Sequence, residues 1–427
     1  MKHRVRLLLA SFLVAAMPAA FGLADEVADW NRAMLQAALA AGTSPLVVSR
    51  VGAIVQASVF DAVNGIERRY TPIHVEPAAL PGTSRRAAAV QAAYAALVHI
   101  YPAQSATLEA LRASSLANIA SGSAAEKSES IARGIEWGQT VADAIWTWRS
   151  TDGFAPPPPP FTGGNAVGEW RPTPPAFASG AGPQFAYMTP WVIETPSQFH
   201  PPGPPALTSA RYAADYNETK SIGRVDSPLR TADQTLFSRF WNASTANYFW
   251  DTIAVGLAEE RRLSLSETAR LLALLNVAVA DAAIGCWEAK YAYVFWRPVT
   301  AIPLGDTDGN ADTTEDLSWS PLFATPAHPE YPSGHSCVSG AAGRVLADYF
   351  GDDTAFSIGS DVMAGVTRSF DSFSSAVEEI KNARVFAGIH FRSACDDGQT
   401  LGVSVGNYVL DHAMTPLHDR RGGQAPD

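Results

Sequence analysis

The chain has 427 residues, and its 31 Lys and Arg against 42 Asp and Glu give a formal net charge of −11. A chain this acidic is a poor candidate for binding nucleic acid or an anionic membrane over its whole surface, so any anion site must be a local positive pocket. Hydrophobic residues make up 47% and charged residues 17%, which excludes wholesale disorder and leaves ample material for a buried core.

Residues 1–24 have the pattern of a secretory signal peptide. A basic start is followed by an apolar run and then by small residues, and we expect cleavage after Ala24. The apolar run is short for a membrane-spanning helix. These features predict an exported protein, periplasmic or secreted, with no membrane span.

Two regions, 25–150 and 207–414, show apolar residues at the three- and four-residue spacing of amphipathic helices. Alternating strand patterns are scarce. The long apolar run over 271–287 carries Asn276 and Asp281, which fits a buried bundle helix better than a lipid-exposed one. The fold class predicted is all-α, with helices packed in bundle layers.

Residues 151–206 lie between the helical regions and are rich in proline, as in "APPPPPF", "RPTPPAF" and "HPPGPPAL". Such composition is typical of an extended linker. Seven aromatic residues between 154 and 191 are, however, too many for a solvated spacer. We therefore expect an ordered arm that lies across the bundle and roofs a cavity. The last segment, 415–427, reads as a flexible tail.

Three stretches of the C-terminal helical region carry chemistry. The first, "KYAYVFWRP", contains Lys290 and Arg297. Seven residues of helix would place these two cations on nearly the same face, two turns apart, with Pro298 closing the segment.

The second stretch, "HPEYPSGHS", is stiffened by prolines. In it Ser333 supplies a hydroxyl, Gly334 lets a backbone N–H approach a ligand, and His335 follows near the start of a predicted helix. The amide groups and the dipole at a helix start favour an anion.

The third stretch, "ARVFAGIHF", contains Arg384 and His390. Continuous helix would place their side chains on different faces. Either a break at Gly388 or a long reach by Arg384 would bring them together.

Taken singly, each stretch has an ordinary structural interpretation. A Lys–Arg pair is usually a solvated helix face, a histidine on an apolar stripe is usually a core residue, and Pro beside Ser-Gly is usually a turn. Together they supply three cations, a hydroxyl, a backbone N–H and two imidazoles within an acidic chain. That set suits one tetrahedral oxyanion such as phosphate or its relatives.

The three stretches, in this order, resemble the three-part signature of the vanadium-dependent haloperoxidase and type 2 phosphatidic acid phosphatase superfamily. Ala383 stands where many members carry Ser, and "GEWRPTPPAF" and "FDAVNGIERRY" resemble exported bacterial haloperoxidase-like proteins. The residues that match the signature are Lys290, Arg297, Pro298, Pro332, Ser333, Gly334, His335, Arg384 and His390.

The resemblance implies a role for each site residue. His390 would bond to the central atom, vanadium or phosphorus, and His335 would be the acid–base residue. The groups that would hold the oxygen atoms of the oxyanion are Lys290, Arg297, Ser333, Gly334 N–H and Arg384.

Both chemistries of the superfamily remain open at this point. A haloperoxidase would use vanadate, hydrogen peroxide, a halide and a small organic acceptor, whereas an exported acid phosphatase would cleave a phosphate ester through a phosphohistidine, with phosphate in the same site. The absence of spanning helices after the signal excludes the membrane lipid phosphatases, and the chain length and the arm resemble the haloperoxidase branch. We therefore expect a haloperoxidase-like enzyme, with the phosphatase as the alternative.

His328 precedes His335 by seven positions, as a histidine does in algal bromoperoxidases, whereas chloroperoxidases tend to have Phe there. This resemblance implies bromide or iodide rather than chloride, with His328 at the halide site. A structural turn histidine is the alternative.

The chain has three cysteines, which allow one disulfide in an oxidising compartment. If His335 and His390 face one oxyanion, the cysteines that follow them lie near each other. Three pairings are possible among Cys286, Cys337 and Cys395, and of these we favour Cys337–Cys395.

Overall fold

The computed structural model describes residues 25–417, and most of that range is helical. The predicted signal peptide and residues 418–427 of the predicted tail lie outside the described residues. The prediction of an all-α fold is confirmed. The helices are α1 Glu26–Ala40, α2 Pro45–Glu67, α3 Arg85–Ile100, α4 Ser105–Ser121, α5 Ser128–Arg149, α6 Ala210–Ile222, α7 Ala232–Ala243, α8 Ala246–Arg261, α9 Leu265–Tyr293, α10 Pro298–Ala301, α11 Gly334–Phe350, α12 Phe373–Phe386 and α13 Arg392–His412.

Short elements complete the described chain. Three 3-10 helices span Pro102–Gln104, Pro183–Tyr187 and Ile302–Thr307. Two strands, β1 Phe356–Gly359 and β2 Thr367–Phe370, pair antiparallel between α11 and α12.

Helix α9 is the central element of the bundle and packs against α2, α11 and α13. It begins with a capping box in which Ser264 and Glu267 satisfy each other's backbone N–H groups. Helices α2 and α9 are long and apolar enough to cross a membrane, yet both are mostly buried inside the described fold, as core helices are. The prediction of a buried bundle helix over 271–287 is confirmed.

Helices α11 and α13 approach each other closely because glycines face the contact. A Cβ at Gly402 would overlap the carbonyl oxygen of Cys337. At the start of the same helix pair, the N–H of Ser333 donates to the carbonyl of Ala394 at 2.8 Å. The crossing therefore fixes the segment that carries the second sequence motif.

The proline- and aromatic-rich arm is ordered and packed on the bundle. Trp170 and Phe185 are buried, and Asp281 of α9 accepts the backbone N–H groups of Trp191, Val192 and Ile193 at 2.7, 2.8 and 3.0 Å. A buried carboxylate thus anchors the arm to the core helix. The boundaries at residues 151 and 206 stay predictions.

The predicted Cys337–Cys395 disulfide is wrong. Cys286, Cys337 and Cys395 are all free and buried. The thiol of Cys286 on α9 donates to the carbonyl of Pro332 at 3.8 Å, whereas a Cβ at Gly398 of α13 would come within 3.3 Å of Cys337 Sγ. The packing of α9, α11 and α13 therefore encloses all three thiols without joining any two of them.

Candidate active site

Lys290 and Arg297 reach the same site from different elements, so the prediction that they share one helix face is wrong. Helix α9 ends at Tyr293 because Val294 adopts a left-handed conformation, with φ of 50°. Arg297 then lies in extended backbone as the N-cap of α10, with Pro298 in the first helical turn. The chain turns between the two cations. The ammonium group of Lys290 and the guanidinium group of Arg297 are both fully buried.

Ser333 and His335 lie at the start of α11, as predicted. Ser333 is the N-cap residue in extended conformation, and Gly334 is the first residue of the helix. A Cβ on Gly334 would come within 3.1 Å of the Trp287 ring, so the position has little room for a side chain. The first turn of α11 therefore faces the site with its backbone N–H groups.

Arg384 and His390 are brought together by a helix break, the first of the two arrangements that the sequence left open. Helix α12 ends at Phe386, and Gly388 follows with φ of +74°. A Cβ at Gly388 would overlap the backbone of Gly223, which makes glycine the residue that fits this turn. His390 then lies in the turn before α13.

The cations differ in how their donors are used. The ammonium group of Lys290 donates to the carbonyls of Pro329 at 2.9 Å, of Glu330 at 3.1 Å and of Pro332. Arg384 donates to Asn242 Oδ1 at 3.2 Å, but within the described chain its buried Nε has no partner. Lys290 therefore contributes its charge while its donors hold the backbone of residues 329–332. Arg384, by contrast, has an Nε–H donor available for a ligand.

Burial is the main cause of the shifted pKa values of these cations. It lowers the pKa of Lys290 to about 8, that of Arg297 to about 10 and that of Arg384, which also faces Arg297, to about 9. All three stay protonated at pH 7. A cluster of positive charge in a low-dielectric site attracts an anion strongly.

His390 is held between Glu330 and Arg297. Its Nδ1 lies 2.9 Å from Glu330 Oε1, and its Nε2 lies 3.0 Å from Nη1 of Arg297. Because arginine is only a donor, Nε2 must be the unprotonated nitrogen and Nδ1 must carry the proton that Glu330 accepts. Burial, followed by the charge of Arg297, lowers the pKa of His390 well below 6.5, so the ring is neutral with its Nε2 lone pair facing Arg297.

His335 and His328 line the opening of the site. Burial and the nearby Arg384 lower the pKa of His335 well below 6.5, so its imidazole is a neutral base at pH 7. His328 lies against Trp287 with ring centroids 5.0 Å apart and the ring planes tilted by 47°, and its Nδ1 lies 3.0 Å from Nη2 of Arg297. Burial and the charge of Arg297 also lower the pKa of His328 well below 6.5.

These residues lie at a cavity of about 460 Å³. Arm residues Ala181, Gly182 and Gln184 contribute to its lining, which agrees with an arm that roofs a cavity. The motif residues that line it are His328, Gly334, His335, Arg384 and His390.

Two residues of the site were not singled out from the sequence. Glu330 lies inside "HPEYPSGHS", and the structure buries its side chain to 1% exposure. The signal available in the sequence was a carboxylate between His328 and His335. Asn242, which accepts from Arg384, lies 142 residues away from it and left no signal in the sequence.

Comparisons with known proteins agree with this geometry. A family model described as the VCPO second helical-bundle domain matches residues 270–419, which include all three motifs. Vanadium chloroperoxidase of Curvularia inaequalis is 26% identical over 260 residues, which are 44% of this chain and 42% of that protein, so the chain aligns with less than half of this curated relative.

Solved structures match over more of the chain. The first bacterial vanadium-dependent iodoperoxidase structure is 27% identical, with a TM-score of 0.80 over 93% of this chain and 98% of that one. An apo-type bacterial vanadium-dependent chloroperoxidase, 17% identical, has a TM-score of 0.69 over 86% of this chain and 94% of that one, which shows the shared fold.

Proposed function

The chain belongs to the vanadium haloperoxidase superfamily, and on that premise we propose that it is a vanadate-dependent haloperoxidase that oxidises bromide or iodide, rather than chloride, with hydrogen peroxide. The observation that carries the proposal is the unprotonated Nε2 of His390, which accepts from Arg297 in a site that also buries Lys290 and Arg384. We place the reaction in the periplasm or outside the cell, because residues 1–24 read as a signal peptide.

A structural observation, in addition to the match of the motifs, supports vanadate as the ligand of these donors. Within residues 25–417, the buried Oγ of Ser333 and Nε of Arg384 have no hydrogen-bond partner. Buried polar atoms are rarely left without a partner in native proteins, and an oxyanion would accept from both. Arg384, Ser333 and the Gly334 N–H would bind its oxygens directly, Lys290 and Arg297 would balance its charge, and His390 Nε2 would bind vanadium.

The acid–base work belongs to His335. When bound, vanadate supplies a Lewis-acidic centre that makes hydrogen peroxide electrophilic toward a halide. His335 is a neutral base at pH 7 because of burial and Arg384, and it can take a proton from hydrogen peroxide. The cations then stabilise the negative charge that develops on oxygen.

His328 is the residue we assign to the halide. Its imidazole lies beside Trp287 and accepts from Arg297, so it presents a polar ring between the cation cluster and the cavity. A soft, weakly hydrated halide such as bromide or iodide is easier to desolvate in such a site than chloride. A small organic acceptor would take up the oxidised halogen.

An exported acid phosphatase is the alternative, and the same His390 geometry favours it. An unprotonated Nε2 beside Arg297, in a site with two further buried cations, is also the arrangement needed to attack phosphorus and form a phosphohistidine, with His335 protonating the leaving oxygen. Phosphate and vanadate share the tetrahedral shape that the donor set recognises.

Two assays on one preparation separate the candidates. Protein loaded with orthovanadate is given hydrogen peroxide with iodide, bromide or chloride, and vanadate-free protein is given p-nitrophenyl phosphate. We expect triiodide formation and bromination of a phenolic dye, with chloride the poorest substrate. Turnover of the phosphate ester without any halide oxidation would contradict the proposal and favour the phosphatase.

A further inference from the structure

The cavity is much larger than peroxide and halide require. Its volume is about 460 Å³, whereas one water molecule occupies about 30 Å³ of liquid. Vanadate, peroxide and one halide ion together therefore leave a substantial part of it open. The cavity as a whole falls within the range of sites for organic ligands, about 300–1,000 Å³.

One wall of the cavity is pre-organised by the arm. The carbonyl of Ala181 accepts from the indole of Trp287 at 3.0 Å and from the hydroxyl of Tyr291 at 2.8 Å. At Gly182, where φ is +65°, a Cβ would overlap the side chain of Leu46, so the arm contacts the start of α2 directly. A wall fixed by such contacts can select a ligand by shape.

The lining selects against cations. Arg384 contributes charge at the catalytic end, and among residues 25–417 no Asp or Glu lines the cavity, although the chain as a whole is acidic. Most of the exposed lining is apolar, and the side chains that make it so include Pro45, Leu46, Val47, Trp287 and Val338. A neutral molecule with an apolar, flat body fits this surface best.

We propose that this cavity binds the organic acceptor, a neutral electron-rich aromatic compound of the phenol class, beside the site of halide oxidation. The inference rests on the proposed function. Halide, hydrogen peroxide and a proton give a hypohalous acid equivalent and water. The aromatic carbon then attacks the halogen, the halogen–oxygen bond breaks, and the ring proton leaves with hydroxide as a second water.

The test compares product patterns with those of free reagent. Wild-type protein loaded with vanadate brominates 1-naphthol, and the ratio of the 2- and 4-bromo products is compared with that from hypobromous acid in the same buffer. We expect a ratio shifted at least threefold, and saturable quenching of tryptophan fluorescence when 1-naphthol binds the vanadate-free protein. An identical ratio with no saturable quenching would overturn the proposal.

A cavity-filling variant sharpens the test. Leu46→Trp should weaken 1-naphthol binding at least tenfold, whereas Leu80→Trp, at an exposed position outside the cavity, should not change it. Triiodide formation without 1-naphthol is measured on wild type as the test of the proposed function. Its absence would contradict halide oxidation itself, while its presence with a reagent-like product ratio would contradict only the acceptor site.

A second inference rests on Glu330 and is independent of the cavity. Glu330 Oε1 accepts from Nδ1 of His390 at 2.9 Å and from the N–H of Phe391 at 2.9 Å, and the carboxyl group is fully enclosed. Both bonds hold whether or not Oε2 carries a proton. We infer that Glu330 is a positioning residue that keeps His390 protonated at Nδ1, so that Nε2 keeps the lone pair with which it can bind the central atom of the oxyanion.

The tautomer is measured directly. In protein labelled with ¹⁵N-histidine, with His390→Ala used for assignment, we expect His390 to be protonated at Nδ1 in wild type and to become a mixture in Glu330→Ala. Vanadate affinity, measured by equilibrium dialysis, should fall about 10–100-fold in Glu330→Ala and recover largely in Glu330→Gln, which keeps an acceptor oxygen.

The control is a matched carboxylate–histidine pair at the surface, Asp143 with His99, whose contact is 2.8 Å. Asp143→Ala should leave vanadate affinity unchanged. If Glu330→Ala fails to fold, the ¹⁵N spectrum of the wild-type protein still tests the inference, because a His390 protonated at Nε2 would overturn it. A folded Glu330→Ala variant with wild-type vanadate affinity and the wild-type tautomer of His390 would also overturn the inference.

Discussion

Replacing Asp281 by Ala should detach the arm from the bundle. The carboxylate is fully buried on α9 and accepts the backbone N–H groups of Trp191, Val192 and Ile193. Behind the same segment, Arg149 donates to the carbonyl of Thr189 at 2.6 Å. The residues of the arm that line the cavity lie just before this anchor.

The magnitude follows from the number of donors left without a partner. An unsatisfied buried donor costs about 1–3 kcal/mol, so three give an upper range near 9 kcal/mol. Water can reach the half-buried Val192, and such costs are not additive, so we expect a loss of about 3–5 kcal/mol in the free energy of unfolding. Asp281→Asn, which keeps one acceptor oxygen, should lose less.

Urea unfolding at pH 7.5 measures the loss. At that pH the carboxylate is ionised, because burial raises the pKa of Asp281 only to about 6. Asp411→Ala, at an exposed position of α13, is the matched control and should change stability by less than about 0.5 kcal/mol. A loss below about 1 kcal/mol in Asp281→Ala, with the arm still resistant to protease, would refute the anchoring role.

Three further predictions follow from individual positions. Gly402→Ala should destabilise the protein by about 1–3 kcal/mol because its Cβ would overlap the α11 backbone. Gly256→Ala, with open space around it in α8, should stabilise the protein by about 0.5–1 kcal/mol. Equal effects of the two substitutions in urea unfolding would contradict the packing. Burial raises the pKa of Asp251 to about 7, so the folded state keeps a proton that the unfolded chain has lost, and stability falls as the pH rises from 4 to 7. Between pH 5 and pH 8 wild type should lose about 2–3 kcal/mol more than Asp251→Asn, and parallel pH curves would contradict this. His328→Phe should lower the bromide-to-chloride preference in kcat/KM at least tenfold, and an unchanged preference would mean that His328 is only a turn residue.

Much of the site could be predicted because local sequence determines it. Glycine at 388 permits the left-handed turn that joins Arg384 to His390, and Pro332-Ser333-Gly334 leads directly into a helix start. The helical periodicity likewise gave the all-α class, since amphipathic spacing depends only on which face of each helix is buried.

The rest depends on contacts between distant segments. Helix α9 ends at Tyr293, and the backbone that follows it bonds to Gly168 and Trp170 of the arm, whereas the periodicity alone continues the helix to Arg297. The three cysteines stay free because of how α9, α11 and α13 pack, which residue spacing does not reveal. Glu330 lies within a motif, but its role depends on His390, 60 residues further along the chain. The bond that anchors Trp191 of the arm to Asp281 joins residues 90 positions apart.

The most direct test of the central claim separates oxyanion binding from proton transfer at the two histidines. Equilibrium dialysis of vanadate and peroxide-dependent iodide oxidation are measured on His390→Ala, His335→Ala and the remote control His99→Ala. We predict that His390→Ala loses vanadate affinity and activity together, that His335→Ala keeps most of its affinity but loses at least about 100-fold in rate, and that His99→Ala matches wild type. Wild-type affinity and rate in His390→Ala would contradict the account.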